Sequence, residues 1–150
     1  MSEYSTRIQT LLRNKPATLW SVSPTDSVYV ALEKMAEKSV GALPVMDGSR
    51  LVGMFSERDY ARKVVLEGRS SRETTVAEIM STPVLTITPE HTIGECMEIV
   101  TNQRIRHLPV LDKDQVVGII SIGDLVNFVI TEQQATIEHL HAYITGGKQA

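Results

Sequence analysis

The chain has 150 residues, which is enough for one compact domain or for two small fused ones. Its 42% apolar and 22% charged residues are ordinary for a soluble globular protein, and neither a membrane-length apolar run nor a signal-peptide start is present. The net charge of −3 disfavours nucleic-acid binding as the main task, and the lone cysteine excludes an internal disulfide and suits a cytoplasmic protein.

The first predicted element is a short amphipathic helix over Ser5–Asn14. Ile8, Leu11 and Leu12 fall on one side of it, and the proline at position 16 ends it. We assign residues 1–15 to this helix. We expect its apolar side to lie on the unit that follows it in the chain.

That unit, residues 16–66, begins with an extended stretch over Leu19–Ser23 that meets Pro24, a residue excluded from central strands. A helix follows, with Ser27 as its N-cap. Its apolar residues have the i, i+3, i+4, i+7 spacing of one buried stripe: Val28, Ala31, Leu32 and Met35. Two strands joined by a tight turn come next, Ala42–Met46 and Leu51–Phe55, and a second helix opens at Ser56.

A polar linker over residues 67–78 ends in a capping box, Thr75 to Glu78, that starts a short helix through Met80. A second unit, 79–131, repeats the order of the first. Its extended stretch is Leu85–Thr88, its first helix has Thr92 as N-cap, and its strands are His107–Leu111 and Val116–Ile120.

The last predicted element is one long helix from Asp124 to Tyr143, stopped at Gly146-Gly147. Residues 132–150 therefore extend beyond the second unit. The apolar residues of this helix lie roughly along one side, which indicates that it needs a partner surface.

The two units are copies of one another, 65 residues apart. Aligning residues 22–61 with 87–126 needs no gap, and ten of the 40 positions are identical. Such a repeat indicates one structural unit used twice, with the apolar faces buried against each other. Polar residues shared by the copies then point to a site that occurs twice.

The strongest shared motif is Gly-h-h-Ser-x-x-Asp, where h is apolar, at Gly53–Asp59 and Gly118–Asp124. One interpretation is structural, because Ser-x-x-Asp resembles a helix-capping box. The other is functional. A strand entering a helix N-terminus offers free N–H groups to a phosphate, the serine donates to it, and the aspartate accepts from ribose hydroxyls. Arg58 would add a phosphate contact that Gly123 cannot.

A second group of candidates lies at the start of each hairpin, where Arg106 and His107 correspond to Gly41 and Ala42. A guanidinium and an imidazole bind phosphate or stack on a base. The first copy should therefore have a roomier and less basic pocket. We expect the two sites to be unequal.

The remaining candidates are weaker. Cys96 falls on a buried helix stripe and is predicted to be a small core residue. Trp20 is predicted to pack, with base stacking as the alternative. His91, His139 and His141 lack the companions a metal needs, and no nucleophile, base and orienting group occur at a catalytic spacing. We predict a protein without catalytic activity.

The doubled pattern resembles the cystathionine-β-synthase (CBS) domain as a free-standing tandem pair. The resemblance rests on Val76-x-x-Ile79-Met80, on Leu-Pro-Val-x-Asp and on Gly-h-h-Ser-x-x-Asp in both copies, and it covers about residues 16–131. It implies an α/β (α+β) fold of two β-α-β-β-α repeats, packed through their sheets with pseudo-two-fold symmetry. It also implies dimerisation, to which the terminal helices would contribute.

The resemblance further implies up to two clefts for adenosine-containing ligands: AMP, ADP, ATP or NAD, with S-adenosylmethionine less favoured. The residues carried over to the first site are Ser21, Ser23, Gly41, Ala42, Pro44, Ser56, Arg58 and Asp59. Those carried over to the second are Thr86, Thr88, Arg106, His107, Pro109, Ser121 and Asp124. The aspartates would hold ribose, and the serines would face phosphate.

The leading hypothesis is a regulatory module that senses adenylate or NAD and passes that state to an unidentified protein. The alternative is a scaffold that dimerises and docks without any ligand. No catalytic cofactor, metal, nucleic acid or membrane partner is expected.

Overall fold

The computed structural model describes residues 3–15 and 18–149. After a single 3₁₀ turn at Glu3–Ser5, the elements run in the order α1 (Ile8–Arg13), α2 (Val28–Lys38), β1 (Ala42–Asp47), β2 (Arg50–Ser56), α3 (Glu57–Tyr60), α4 (Val76–Ile79), α5 (Ile93–Gln103), β3 (His107–Asp112), β4 (Gln115–Ser121) and α6 (Ile122–Gln149). A π-helical turn, Ala61–Val65, continues α3. The mixed helix-and-strand fold with two equivalent halves confirms the predicted class.

Each half is built around an antiparallel hairpin. In β1–β2, Leu43 pairs with Phe55, and in β3–β4, Leu108 pairs with Ile120, with a bulge at the same place in both ladders. All four side chains are buried. The hairpins therefore present the same apolar positions to the interior, as the alignment of the copies predicts.

The predicted first strands are shorter than expected. The stretches Leu19–Ser23 and Leu85–Thr88 each pair through one residue, Val22 against Val45 and Ile87 against Val110, both in parallel. The proline two residues later explains this, because Pro24 and Pro89 have no N–H to extend the ladder.

The helix starts follow the predicted caps. The Ser27 hydroxyl accepts from the Val30 N–H, and Thr92 forms a reciprocal box with Glu95. The predicted box between Thr75 and Glu78 is present at the start of α4. These side chains satisfy N–H groups that a helix leaves unpaired at its first turn.

The first helix packs on the second repeat, and the expectation that it lies on the first is wrong. The buried Ile8 and Leu11 share a core with Ile87, Ile93 and other residues of the second repeat. The Ile8 N–H donates to the His91 carbonyl at 2.8 Å. The prediction relied on proximity in the sequence, and the apolar side of a helix does not indicate which copy it packs on.

The segment before the second repeat makes the matching contact with the first. Val76 and Ile79 of α4 lie in the core of the first repeat, and the Val76 N–H donates to the Asp26 carbonyl at 2.8 Å. We call residues 3–15 and 71–81 the leading segments. Each half is thus completed by the leading segment of the other.

The last helix is longer than predicted. Helix α6 starts at Ile122, passes through Gly146 and Gly147 and ends at Gln149, so the glycine pair does not stop it. A glycine inside a helix costs about 1 kcal/mol but keeps its backbone hydrogen bond. Leu125 and Val129 are buried, whereas several apolar residues stay exposed: Val126, Ile130, Ile137, Leu140 and Ile144. In the part of the chain described, no helix has the length and apolarity to cross a membrane.

Candidate functional site

A cleft of about 850 Å³ lies between the two repeats. Eight of the predicted site residues line it, drawn from both copies: Gly41, Ala42, Ser56, Arg58, Asp59, Arg106, His107 and Ser121. Met54, Glu57, Ser81, Pro83 and Arg104 also border this cleft. The structure thus unites in one cavity residues that the sequence analysis divided between two clefts.

The other seven predicted residues lie outside the lining of this cleft. Thr86 borders a smaller pocket of about 510 Å³, together with Arg50 and Asp114. The remaining six are Ser21, Ser23, Pro44, Thr88, Pro109 and Asp124. Pro44 and Pro109 are buried in the hairpins, and their carbonyls accept from the N–H groups of Val22 and Ile87 in the parallel bridges.

Asp59 is held in place by several donors. It is 6% exposed and forms a capping box with Ser56, whose backbone N–H and hydroxyl lie 3.0 and 3.1 Å from Oδ2. Oδ1 accepts from the Ser81 hydroxyl at 2.7 Å and pairs with Lys63 at 3.2 Å. The aspartate therefore caps α3, as the structural interpretation predicts, and it also borders the cleft, where the functional interpretation would need it.

Asp124 has a different partner. Its Oδ2 lies 2.6 Å from Nζ of Lys15, which also donates to the Ile119 carbonyl at 2.8 Å. Burial would raise the pKa of Asp124, but the bonds from Lys15 and Ser121 outweigh it and hold the pKa below its usual range. The carboxylate that the second site would need is therefore already paired with a cation.

The strand entries face each other at Gly41. A side chain there would place its Cβ 2.9 Å from Oε1 of Glu57 and 3.7 Å from Nε2 of His107. The room expected beside Gly41 is therefore used by these two groups. A side chain at this position would therefore have to move the carboxylate end of the flexible Glu57 side chain.

Arg58 connects the copies. Its Nη1 donates to the Arg104 carbonyl at 2.9 Å, across 46 residues of sequence. Arg104 caps the end of α5 in a left-handed conformation, with φ of 54°. Together with Arg106 these guanidiniums make the cleft basic, although the whole chain is acidic.

Four residues important to the site escaped the sequence analysis: Lys15, Lys63, Ser81 and Arg104. Ser81 directly follows the Val-x-x-Ile-Met motif, so its position relative to the aspartate could have drawn attention to it. The other three gave no such signal. Lys15 and Asp124, for example, are separated by 109 residues, and Lys15 lies before the first copy whereas Asp124 lies in the second.

The weaker candidates have structural surroundings. Trp20 lies outside the cleft lining, with Nζ of Lys38 4.0 Å above its ring, and His91 Nδ1 accepts from the Thr88 N–H at 3.0 Å. Cys96 is fully buried, and burial raises its pKa to about 12, as expected of a core thiol. Across the described residues, no three His, Cys, Asp or Glu side chains are grouped to hold a metal.

We expect the free energy of unfolding to decrease as the pH is lowered, because His107 titrates differently in the folded and unfolded chains. Burial lowers the pKa of His107 below its usual 6.5, although Asp124 and Glu57 oppose this and Lys15 and Arg106 assist it. The unfolded chain then takes up the proton first, so His107 stabilises the fold above about pH 6.5 and this contribution is lost as pH falls below it. Urea titrations from pH 7.5 to 5.5 should show a smaller decline for His107→Gln than for the original chain. Equal slopes would contradict the assignment.

Comparisons with known proteins agree on one family. The CBS domain profile matches residues 13–66 and 76–131. The chain is 38% identical over 153 residues to the mitochondrial CBS domain-containing protein CBSX3 of Arabidopsis thaliana, covering 95% of this chain and 74% of that protein. It is 49% identical to a Burkholderia ambifaria protein with CBS domains, with a TM-score of 0.83 over 85% of this chain and 96% of that one.

A more distant structural neighbour shares the fold. It is the hexameric CBS-CP12 protein from bloom-forming cyanobacteria, 24% identical, with a TM-score of 0.73 over 96% of this chain and 84% of that one. The names of these three relatives describe CBS proteins and include no enzyme.

Proposed function

This chain belongs to the CBS domain family, and on that premise we propose that it is a regulatory module that binds an adenosine-containing ligand. The observation that carries the proposal is the position of Asp59 and Ser56 at the border of a cleft that Arg58 and Arg106 also line. A diol acceptor and phosphate donors then meet in one cavity. The ligand class is AMP, ADP, ATP or NAD, with S-adenosylmethionine less favoured.

The chemistry of the cleft divides between its two sides. Asp59 accepts from the ribose hydroxyls, which replace the hydroxyl of Ser81 as donors to the carboxylate. The serine hydroxyl of Ser56 and the guanidiniums of Arg58 and Arg106 face the phosphates, where charge-assisted bonds are about twice as strong as neutral ones. The apolar residues Met54, Val84 and Ile105 on the cleft wall suit a flat base.

The proposed mechanism is a population shift. A ligand that touches both repeats favours the arrangement of the halves in which all its contacts form. Helix α6 starts at the cleft border, at Ile122, and carries the exposed apolar side chains, so it is the element that would pass the change to a partner. The regulated partner is an unidentified protein.

We further propose that the chain forms a homodimer through the repeat faces and the terminal helices. We also propose that it acts in the cytoplasm, with the mitochondrion, where the Arabidopsis relative is found, as the alternative.

A scaffold without a ligand is the second candidate. Two observations favour it: the aspartates are already paired within the chain, and α6 exposes an apolar side that a partner could cover. On this view Ser56 and Asp59 only cap α3. Their substitution would lower the melting temperature and change no binding.

A thermal-shift panel separates the two candidates. With AMP, ATP, NAD and S-adenosylmethionine each in 100-fold excess over its dissociation constant, a bound ligand adds about 2.7 kcal/mol of stability. For a chain of this size the melting temperature should rise by about 5 °C or more. We expect that rise with at least one adenine nucleotide and none with free ribose 5-phosphate at the same concentration. No shift with any of the four would favour the scaffold.

A further inference from the structure

The leading segments dock on the two halves in the same way. Residue 7 bridges Thr92 as Thr75 bridges Ser27, and the Ile8 N–H bonds to the second repeat as the Val76 N–H bonds to the first. Leu12 lies against Gly118 as Met80 lies against Gly53, so closely that a Cβ on either glycine would clash. The equivalence brings the end of each segment to the aspartate of the half that it covers.

At that aspartate the equivalence ends. The segment 71–81 delivers a neutral hydroxyl, with Ser81 Oγ 2.7 Å from Asp59. The segment 3–15 delivers an ammonium, with Lys15 Nζ 2.6 Å from Asp124. Asp59 also has an ion pair, with Lys63 at 3.2 Å, but it keeps that pair when a ribose hydroxyl replaces Ser81, because one neutral donor is exchanged for another. At Asp124 the hydroxyl must instead displace Lys15 and break the ion pair.

The position of the cleft agrees with this difference. Asp59 and Ser81 line it, whereas Asp124 lies outside the lining although its neighbour Ser121 lies within. The side chains of Lys15 and Asp124 are 31% and 27% exposed, so the pair is partly buried but open to solvent on one side. The Lys15 side chain can therefore move away from the Asp124 carboxylate while Ile8 and Leu11 of α1 stay buried.

We propose that Lys15 closes the second copy's ribose site, so that the chain binds one nucleotide per molecule, at Asp59. This inference rests on the proposed function. The two sites then differ because of Lys15, a residue that lies before both repeats in the chain. Release of Lys15 converts a one-site chain into a two-site chain.

The test is the binding stoichiometry, measured by titration calorimetry with ATP and with AMP. We expect one site per chain in the original protein and two in Lys15→Met, which keeps most of the length of the side chain and removes its charge. Lys15→Ser, which replaces the ammonium by a short neutral side chain, should also give two. In both variants the second site should bind at least tenfold more tightly than any second event in the original chain.

The controls separate this inference from the function on which it rests. Lys38→Met, which removes the lysine that lies over the Trp20 ring, should keep one site, and adding Asp124→Ala to Lys15→Met should return the count from two to one. One site in both Lys15 variants, each folded by circular dichroism, overturns the inference alone. Two sites in the original chain, or weaker binding after loss of Lys15, also overturns it. No binding to any variant overturns the proposed function as well.

Discussion

Replacing Asp59 by alanine is expected to weaken adenine-nucleotide binding by at least about 10-fold. One ribose hydroxyl only replaces the Ser81 hydroxyl as a donor to the carboxylate, so the ligand adds one new hydrogen bond to Asp59. A hydrogen bond to a charged group contributes about 1.5–3 kcal/mol, which corresponds to about one to two orders of magnitude in the dissociation constant. Calorimetric titration of the folded variant with ATP and AMP measures the loss.

The substitution also removes part of the cap of α3, so folding needs its own measurement. Loss of a capping side chain costs about 1 kcal/mol, which a melting curve will show as a modest decrease. Asp59→Asn keeps the size of the side chain, and Asp47→Ala removes an exposed aspartate from the hairpin turn of the same repeat. Asp47→Ala should bind like the original chain. A folded Asp59→Ala protein with unchanged affinity would exclude the ribose role and leave only the cap.

Replacing Ile8 by alanine is expected to destabilise the protein by about 2–5 kcal/mol, the usual range for truncating a buried isoleucine. Ile8 is fully buried among core residues of the second repeat, although it lies near the start of the chain. The free energy of unfolding in urea measures the effect. Hydrogen exchange should show the loss of protection in α5, β3 and β4, not in the first hairpin.

Two variants provide the comparison. Val76→Ala makes the equivalent truncation in the core of the first repeat, and its loss of protection should appear in α2, β1 and β2 instead. Gln9→Ala changes an exposed neighbour of Ile8 and should shift stability by less than about 0.5 kcal/mol. Loss of protection in the first hairpin after Ile8→Ala would contradict the docking of α1 on the second repeat.

Much of the fold follows from short-range patterns. The helical spacing after Ser27 and Thr92 and the tight turns of the two hairpins are local signals, and the structure has those elements where they were predicted. The starts of α2 and α5 agree to the residue because a capping side chain fixes the point at which the helix begins. The end of α6 was missed because glycine disfavours a helix without forbidding it.

Docking between distant segments was much harder to predict. The apolar side of α1, with Ile8 and Leu11, predicts that the helix is buried but not which repeat it packs on. The predicted packing on the first repeat was therefore wrong. The role of Lys15 could not be predicted for the same reason, because it depends on a contact with Asp124 in a distant segment. For Asp59 the motif did indicate a polar site, since its serine and aspartate recur in both copies, but the uniting of both copies in one cleft depends on how the halves pack.

The exchange of leading segments also sets an order of events on the ribosome. The first repeat has its whole core once residues up to about position 80 have left the exit tunnel, because its own covering segment comes directly after it. Helix α1 is made before both repeats but must wait until Val129 has been added. At about 5–20 residues per second that delay is on the order of 6–23 s. Helix α1 is therefore synthesised before the first repeat but docks only after the second, and during that interval its apolar side is open to a chaperone.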